Sequence, residues 1–129
     1  MPAIERIILI DDNESDNVYH EIMIKRAGFT GEIVIMESGI EALRYLESAA
    51  LDIPTYIFLD INMPMMDGFE VAERAAPLLA DKRTIIMVML TSSASPLDRE
   101  RAGALEIIHG FITTPLTPGA VKDLLDNPF

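Results

Sequence analysis

The sequence predicts an α/β fold in which a parallel β-sheet is covered by helices on both faces. Five short apolar runs rich in Ile and Val recur along the chain without polar alternation, which is typical of strands buried on both sides. Segments with helix-capping residues separate these runs. The length of 129 residues fits one domain with its own core, so we expect a single domain over residues 1–129 with no effector domain attached.

The strand candidates are the apolar runs themselves. They lie at 7–10, 33–36, 56–59, 85–90 and, more weakly, 111–112. The spacing predicts one helix after each run. The first helix candidate covers residues 14–27, with Gly28 as the stop, and the second is opened by the capping pair Ser38 and Glu41. The third covers residues 69–80, and Pro77 is expected to end or kink it. The fourth is opened by Ser95-Pro96, and the fifth covers residues 118–126 after Thr117.

Five strand–helix pairs predict a specific topology. Crossovers between parallel strands are right-handed, which places helices on both faces of the sheet. The expected architecture is a flavodoxin-like doubly wound (βα)₅ fold with a five-stranded parallel sheet in the order 2-1-3-4-5.

Composition excludes several classes of function. The formal net charge is −11, with 21 acidic and 10 basic residues, which disfavours binding to nucleic acid or to an anionic membrane and favours a cation or a basic partner. The chain has no cysteine, so thiolate metal sites and disulfides are absent. Its apolar runs are too short to span a membrane, and its N-terminus does not resemble a signal peptide. A cytoplasmic protein is expected.

Acidic and hydroxyl residues follow the predicted strands. Asp11 and Asp12 come after the first strand, Asp60 after the third, Thr91 after the fourth and Thr114 after the fifth. Ligands of such folds bind at the carboxyl ends of the strands, and strands 1 and 3 are neighbours in the expected order. The three carboxylates are therefore expected to share one site.

The repulsion between clustered carboxylates is reduced either when one of them binds a proton or when a divalent cation binds between them. At an effective dielectric of about 20, two like charges about 4 Å apart repel by roughly 4 kcal/mol. An all-oxygen site suits Mg²⁺, and with Mg²⁺ present one carboxylate could attack a phosphoryl group while Thr91 binds a phosphoryl oxygen. A plainer interpretation treats the aspartates as helix caps and the Asp67-Gly68 segment as a turn.

Four segments resemble the receiver domain of two-component response regulators, and the resemblance covers nearly the whole chain. The segment "ILIDDN" resembles the family's first strand with its acidic pair, and "IFLDINMPMMDGFE" is similar to its phosphoacceptor loop. The segment "MVMLTSSAS" resembles the family's fourth strand with its Thr/Ser, and "GFITTPLT" resembles the fifth strand with its Lys-Pro signature.

The resemblance implies a role for each matching residue. Asp60 would accept a phosphoryl group from a histidine kinase or a phosphotransfer protein, and Thr91 would contact that group. Mg²⁺ would be bound by Asp11, Asp12 and Asp60 and by the backbone carbonyl of Asn62. Phe111 would be the switch aromatic, and Pro115 would follow a cis peptide bond. These roles imply a phosphoacceptor with self-catalysed phosphoryl transfer and dephosphorylation at most, rather than an enzyme acting on a separate substrate.

One departure concerns the charge of the site. The family has lysine directly before the proline, whereas this sequence has Thr114, which offers a hydrogen bond without a charge. We expect weaker stabilisation of the phosphoryl group, with phosphorylation retained. The second departure is a few extra residues between Ala104 and Phe111, which predict a longer or differently shaped end of the fourth helix.

Two alternatives to phosphorelay signalling stay open. The chain could be a receiver-like interaction module that does not signal by phosphate, or a Mg²⁺-dependent phosphohydrolase, for which neither an acid–base group nor a cap region is found. In the main interpretation, output runs through a protein partner on the face made by helix 4, strand 5 and helix 5, and the same face could form a homodimer.

The remaining polar and sulfur-containing residues are expected to be structural. His20 and His109 are interpreted as surface histidines, and the eight methionines as core filling. Ser92, Ser93 and Ser95 are interpreted first as turn and cap residues.

Overall fold

The computed structural model describes residues 3–48, 51–92 and 95–127. Five strands alternate with five helices along the chain. The strands are β1 (Arg6–Ile10), β2 (Glu32–Met36), β3 (Thr55–Asp60), β4 (Ile85–Thr91) and β5 (Ile108–Thr113). The helices are α1 (Glu14–Arg26), α2 (Gly39–Ser48), α3 (Gly68–Leu79), α4 (Pro96–Gly103) and α5 (Pro118–Asp126).

The sheet has the predicted topology. All its strands are parallel, and their order is β2-β1-β3-β4-β5. The register aligns the strand ends: Ile10 pairs with Leu59, and Asp60 pairs with Leu90. The residues that follow β1, β3, β4 and β5 therefore meet at one edge of the sheet.

The core has two layers, one on each face of the sheet. Alternate residues of the three central strands point to opposite sides, and nearly all of them are buried. This two-sided burial explains why the strands read as unbroken apolar runs. One layer packs on α2, α3 and α4 and includes Ile8, Ile57, Met87, Leu46, Phe69 and Ala102. The other packs on α1 and α5 and includes Ile7, Phe58, Val88, Met23, Ile24 and Val121.

Side-chain caps open the helices where the sequence predicts them. Ser95 and Thr117 accept hydrogen bonds from backbone N–H groups in the first turns of α4 and α5. Ser38 accepts from the N–H of Glu41, at 3.1 Å. Gly28 follows the end of α1 with a φ of 95°, a conformation that favours glycine. Ser93 lies outside the described residues.

Pro77 does not end α3, which was one of the two effects expected from the sequence, the other being a kink. The helix continues to Leu79, two residues beyond the proline. Proline lacks the N–H that would bond the carbonyl four residues earlier. So close to the end of α3, this removes one hydrogen bond and leaves little helix to disrupt.

The residues between Ala104 and Phe111 do not extend α4, which ends at Gly103, and from Ile108 onward they belong to β5. Of the two expected outcomes, a longer or a differently shaped end of the fourth helix, the longer helix is not found. β5 begins at Ile108, three residues before its predicted start, and His109 lies within it rather than before it. Met87 pairs with Ile108 and Val88 pairs with Gly110, so His109 is the additional residue of a β-bulge.

No helix within the described ranges has both the length and the apolar composition needed to cross a membrane.

Candidate functional site

The three predicted carboxylates come together at the carboxyl edge of the sheet. Oxygen atoms of Asp11, Asp12 and Asp60 all lie within 4.8 Å of one another. Asp11 is buried, Asp60 is half-buried and Asp12 is exposed. The convergence follows from the register, because β1 and β3 are adjacent and end level with each other.

Hydrogen bonds hold Asp11 in place on both sides of its backbone. Its N–H donates to the carbonyl of Met36 on β2, at 3.1 Å, and its carbonyl accepts from Asn17 Nδ2, at 2.8 Å. The carboxylate accepts from the N–H of Asn13, at 2.9 Å. Asn13 itself caps α1 by accepting from the N–H of Asp16. The capping interpretation of this segment therefore applies to Asn13, and Asp12 remains available to the site.

The electrostatics of the cluster disfavour full ionisation. Burial raises the pKa of Asp60 to about 7, and the nearby carboxylates of Asp11, Asp12 and Asp16 act in the same direction, while the backbone N–H of Asn62 opposes them. Burial also raises the pKa of Asp11, against the hydrogen bond from Asn13. A cation at this position would relieve the repulsion between the carboxylates.

A cavity of about 350 Å³ opens beside Asp60. Thr91, Ser92, Thr114 and Pro115 are among the residues that line it. Thr91 is buried, and its backbone carbonyl accepts from the N–H of Thr114, at 2.8 Å. The peptide bond between Thr114 and Pro115 is cis, as the resemblance implied. The ends of β3, β4 and β5 thus place an acidic group and three hydroxyl groups around one space.

Phe111 and Asn62 lie outside the lining of that cavity. Phe111 pairs with Met89 on β4 and packs against the core, and the guanidinium carbon of Arg99 lies 5.6 Å from the centre of its ring. Asn62 is exposed and reaches Asp60 through its backbone N–H.

The interpretation of His20 as a surface histidine is wrong, whereas His109 is exposed as expected. His20 is 4% exposed and lines the cavity with Asp16 and Tyr19 of the same helix. On the same helix the apolar residues Val18 and Ile22 point outward, at 49% and 43% exposure.

The sequence holds a signal for the missed residues. Asp16 and His20 are four positions apart on α1, a spacing that places both on one face of the helix. That face also carries Asn17, which is buried and bonded to Asp11. The buried side of α1 is therefore polar near the site, and apolar periodicity does not reveal it.

A larger cavity of about 630 Å³ lies at the other edge of the sheet, near the start of β1. It is lined by residues such as Phe29 and Leu125 and contains none of the predicted site residues.

Comparison with protein families identifies the class. Residues 7–126 match the response regulator receiver domain. The chain belongs to this family. The topology is therefore that of a receiver domain.

Individual relatives cover the receiver region to different extents. The chain is 32% identical over 117 residues to the probable methanogenesis regulatory protein FilR2 of Methanothrix harundinacea, matching 86% of this chain and 72% of that protein. It is 35% identical to a protein-glutamate methylesterase/protein-glutamine glutaminase of Rhodospirillum rubrum, matching 81% of this chain and 27% of that protein. The activity in that name belongs to a protein of which this chain spans about a quarter.

A solved structure supports the same assignment. A two-component response regulator from Cytophaga hutchinsonii is similar with a TM-score of 0.85 and 30% identity, covering 97% of this chain and 96% of that one.

Proposed function

We propose that this receiver domain acts in phosphorelay signalling by accepting a phosphoryl group on Asp60. The observation that carries the proposal is the cluster of Asp11, Asp12 and Asp60 beside a cavity that also presents the Thr91 hydroxyl. A scaffold has no physical reason to concentrate repelling carboxylates, whereas phosphoryl transfer to a carboxylate uses them.

The donor set fits Mg²⁺. Carboxylate oxygens within 4.8 Å of one another are hard ligands of the kind that Mg²⁺ prefers. Asp11, Asp12 and Asp60 would hold the ion, with the backbone carbonyl of Asn62 as a further ligand. When bound, the ion neutralises negative charge at the site and orients a phosphoryl oxygen.

Asp60 acts as the nucleophile toward a phosphohistidine donor. One carboxylate oxygen forms the new O–P bond while the P–N bond to the donor imidazole breaks, and the imidazole leaves with the bonding pair. Thr91 and Ser92 offer hydroxyl groups to the phosphoryl oxygens from the end of β4 and the residue after it. Thr114 offers a neutral hydroxyl where the family has a charged ammonium group. Removal of the phosphoryl group makes Asp60 the leaving group: a water oxygen forms a new O–P bond, the bond between phosphorus and the Asp60 oxygen breaks, and inorganic phosphate and the free carboxylate result.

The proposed partners are a histidine kinase or a histidine phosphotransfer protein upstream and a target protein downstream. Tyr19 of α1 lines the cavity, and it is exposed together with Val18 and Ile22 of the same helix, so these apolar side chains suit a phosphoryl donor. Output would use the face of α4, β5 and α5, where Leu97 is 66% exposed, and a homodimer could use the same face. We propose one receiver domain over residues 1–129, located with its donor in the cytoplasm and binding neither nucleic acid nor membrane.

A phosphoryl analogue tests this function directly. Beryllofluoride with Mg²⁺ is added to ¹⁵N-labelled protein, and backbone amide shifts are recorded by NMR. We expect changes at residues 60, 91 and 111 in the natural sequence and none in Asp60→Asn, which keeps the shape and loses the carboxylate. No change at these residues in millimolar Mg²⁺ would contradict the proposal.

A receiver-like interaction module is the second candidate, and Thr114 is the observation that favours it. Of the described residues lining the cavity, none is lysine or arginine. A module that does not use phosphate would bind its partner equally well as Asp60→Asn and with or without phosphodonor. A phosphorelay protein would bind its target differently before and after phosphorylation, so pull-down of the target under both conditions separates the two.

A further inference from the structure

Part of the cavity wall is formed by α1, and His20 belongs to this part. Its imidazole lines the same space as Asp60, Thr91 and Thr114. The residue is 4% exposed, so the helix buries a polar ring where apolar side chains are usual. None of the roles assigned to the site so far uses this ring.

The hydrogen-bonding state of the ring is incomplete. Nδ1 of His20 is fully buried and has no partner within the described part of the chain, and the same holds for Oδ1 of Asn17, one helical turn earlier. Burial lowers the pKa of His20, and the carboxylate of Asp16 opposes this effect. A neutral imidazole carries one proton, and a buried donor without an acceptor is costlier than an unused acceptor. The proton therefore belongs on Nε2, at the end of the ring.

The cavity is rich in acidic groups, so the Nε2–H group of His20 is suited to donate a hydrogen bond to a negatively charged ligand there. Within the described lining, the ionisable acids are Asp11, Asp16 and Asp60, and Asp12 lies in the same carboxylate cluster. The side chains from β4 and from the residues after β5 that face the cavity are uncharged. A phosphoryl group on Asp60 adds further negative charge, and among these lining residues only His20 has a side-chain nitrogen that can donate.

We propose that the imidazole N–H of His20 donates a hydrogen bond to a phosphoryl oxygen on Asp60, within the cavity that both residues line. The inference rests on the proposed function, because it assigns a further phosphoryl-binding residue to that site. His20 supplies from a helix part of the stabilisation that the family obtains from a lysine after β5.

Affinity for beryllofluoride in Mg²⁺ tests the contact. We expect His20→Leu, which keeps the bulk and loses the donor, to weaken binding about 10- to 100-fold, the range for a hydrogen bond to a charged group. His20→Gln keeps an N–H donor and should bind within about threefold of the natural protein. His109→Gln is the matched control, since His109 is exposed on β5, and should leave affinity unchanged.

NMR of the ring in the natural sequence provides a readout that does not depend on a variant folding. With ¹⁵N-labelled histidine, beryllofluoride should shift the Nε2 resonance of His20 and move its N–H proton downfield, with no change at His109. Equal affinity in His20→Leu, or an unchanged His20 ring when the natural protein binds beryllofluoride, overturns the role of His20 alone. Failure of the natural protein to bind beryllofluoride overturns the proposed function and the role of His20 together.

Discussion

At residue 114 the sheet fixes the main chain, and the side chain carries no charge. The N–H of Thr114 donates to the carbonyl of Thr91, and the side chain lines the cavity beside Asp60. Relative to the family, the site has therefore lost a positive charge at this residue, while the pairing of the strands around it is kept. Thr91 and Thr113 remain paired across β4 and β5.

Thr114→Lys should strengthen binding of a phosphoryl analogue. A charged hydrogen bond contributes about 1.5–3 kcal/mol and a neutral one about 1 kcal/mol, so we expect the Kd for beryllofluoride in Mg²⁺ to fall about tenfold. Thr113→Lys is the matched control, since Thr113 is exposed and does not line the cavity. An equal gain in both variants would assign the effect to net charge and contradict a specific contact. Fluorescence or isothermal titration measures the affinities.

Asp60 should destabilise the metal-free fold at neutral and alkaline pH. Its pKa is about 7 in the folded protein against an ordinary value of 3.8, so the folded state binds more protons than the unfolded state between these two pH values. The contribution of this carboxyl to the free energy of unfolding is therefore fully present below the pKa of the unfolded state, and it is lost as the pH rises toward the pKa of the folded state, about 7. Because solvent screens the half-buried carboxyl, Asp60→Asn should raise the free energy of unfolding by about 1–2 kcal/mol at pH 8.

The pH dependence of that gain is the control. Urea denaturation in EDTA should show a smaller gain for Asp60→Asn at pH 5.5 than at pH 8, since the folded natural protein is then largely protonated at Asp60. A gain independent of pH would indicate that the carboxyl titrates normally in the folded state.

Residues at strand ends were predictable, and residues on the helix were not. Asp11, Asp12 and Asp60 were placed from the sequence because the parallel topology alone brings strand ends together. His20 was missed because its burial depends on the rotation of α1, which Asn17 and Asp11 help to set through a hydrogen bond between side chain and backbone. Apolar periodicity carries no information about such a bond.

Among the elements, the start of α3 is coupled to the end of β3 through Gly68. Its N–H donates to the carbonyl of Ile61, at 2.8 Å, and a Cβ at this position would collide with the carbonyl oxygen of Asp60. Asp67 caps the helix by accepting from the N–H of Glu70. The Asp-Gly pair therefore does more than form a turn, because it fixes α3 against the residue proposed to accept the phosphoryl group.

Gly68→Ala should move the backbone at Asp60 and destabilise the fold by about 1–3 kcal/mol, the usual range for overpacking. Chemical denaturation measures the loss, and backbone NMR shows whether the shifts centre on residues 60 and 61. Gly119→Ala in α5 is the matched control, since an added Cβ there meets nothing within 4 Å, and it should be neutral or slightly stabilising. Similar losses in both variants would contradict a specific clash.

The elements differed in how well their sequences predicted them. The central strands are buried on both faces and were located to within a residue or so. β5 lies at the edge of the sheet and is half-buried along most of its length, so only the "FI" pair stood out. The bulge at His109 arises from pairing with β4, a long-range interaction that local residue patterns do not encode.

For the whole molecule, a divalent cation should stabilise the fold through the carboxylate cluster. Binding to the folded state alone adds RT ln(1 + [L]/Kd), about 1.4 kcal/mol at 10 mM Mg²⁺ for a Kd of about 1 mM, which raises Tm by a few degrees. Since the net charge is −11, salt also screens general repulsion. NaCl of equal ionic strength is therefore the reference, and Asp12→Asn should abolish the excess stabilisation by Mg²⁺. The same excess in that variant would place the ion elsewhere.

The overall topology was predictable because the handedness of the crossovers and the burial of the strands on both faces restrict how the strands can be ordered. Right-handed crossovers and two-sided burial leave few arrangements of five strand–helix pairs, and the observed order is the expected one. The rotation of each helix about its axis depends on side-chain packing, which is why the polar side of α1 became apparent only in the structure.

The methionines also divide unevenly between the interior and the surface. Met23, Met36, Met63, Met66, Met87 and Met89 are buried as expected, whereas Met65 is 95% exposed, five residues after Asp60. A thioether reacts with peroxide when solvent reaches it. Met65 is thus the described methionine that mild oxidation would modify first. Oxidation of Met65 adds one oxygen atom, which mass spectrometry detects without a label. A slower rate of this oxidation in the presence of a partner would show that the bound protein covers the loop after β3.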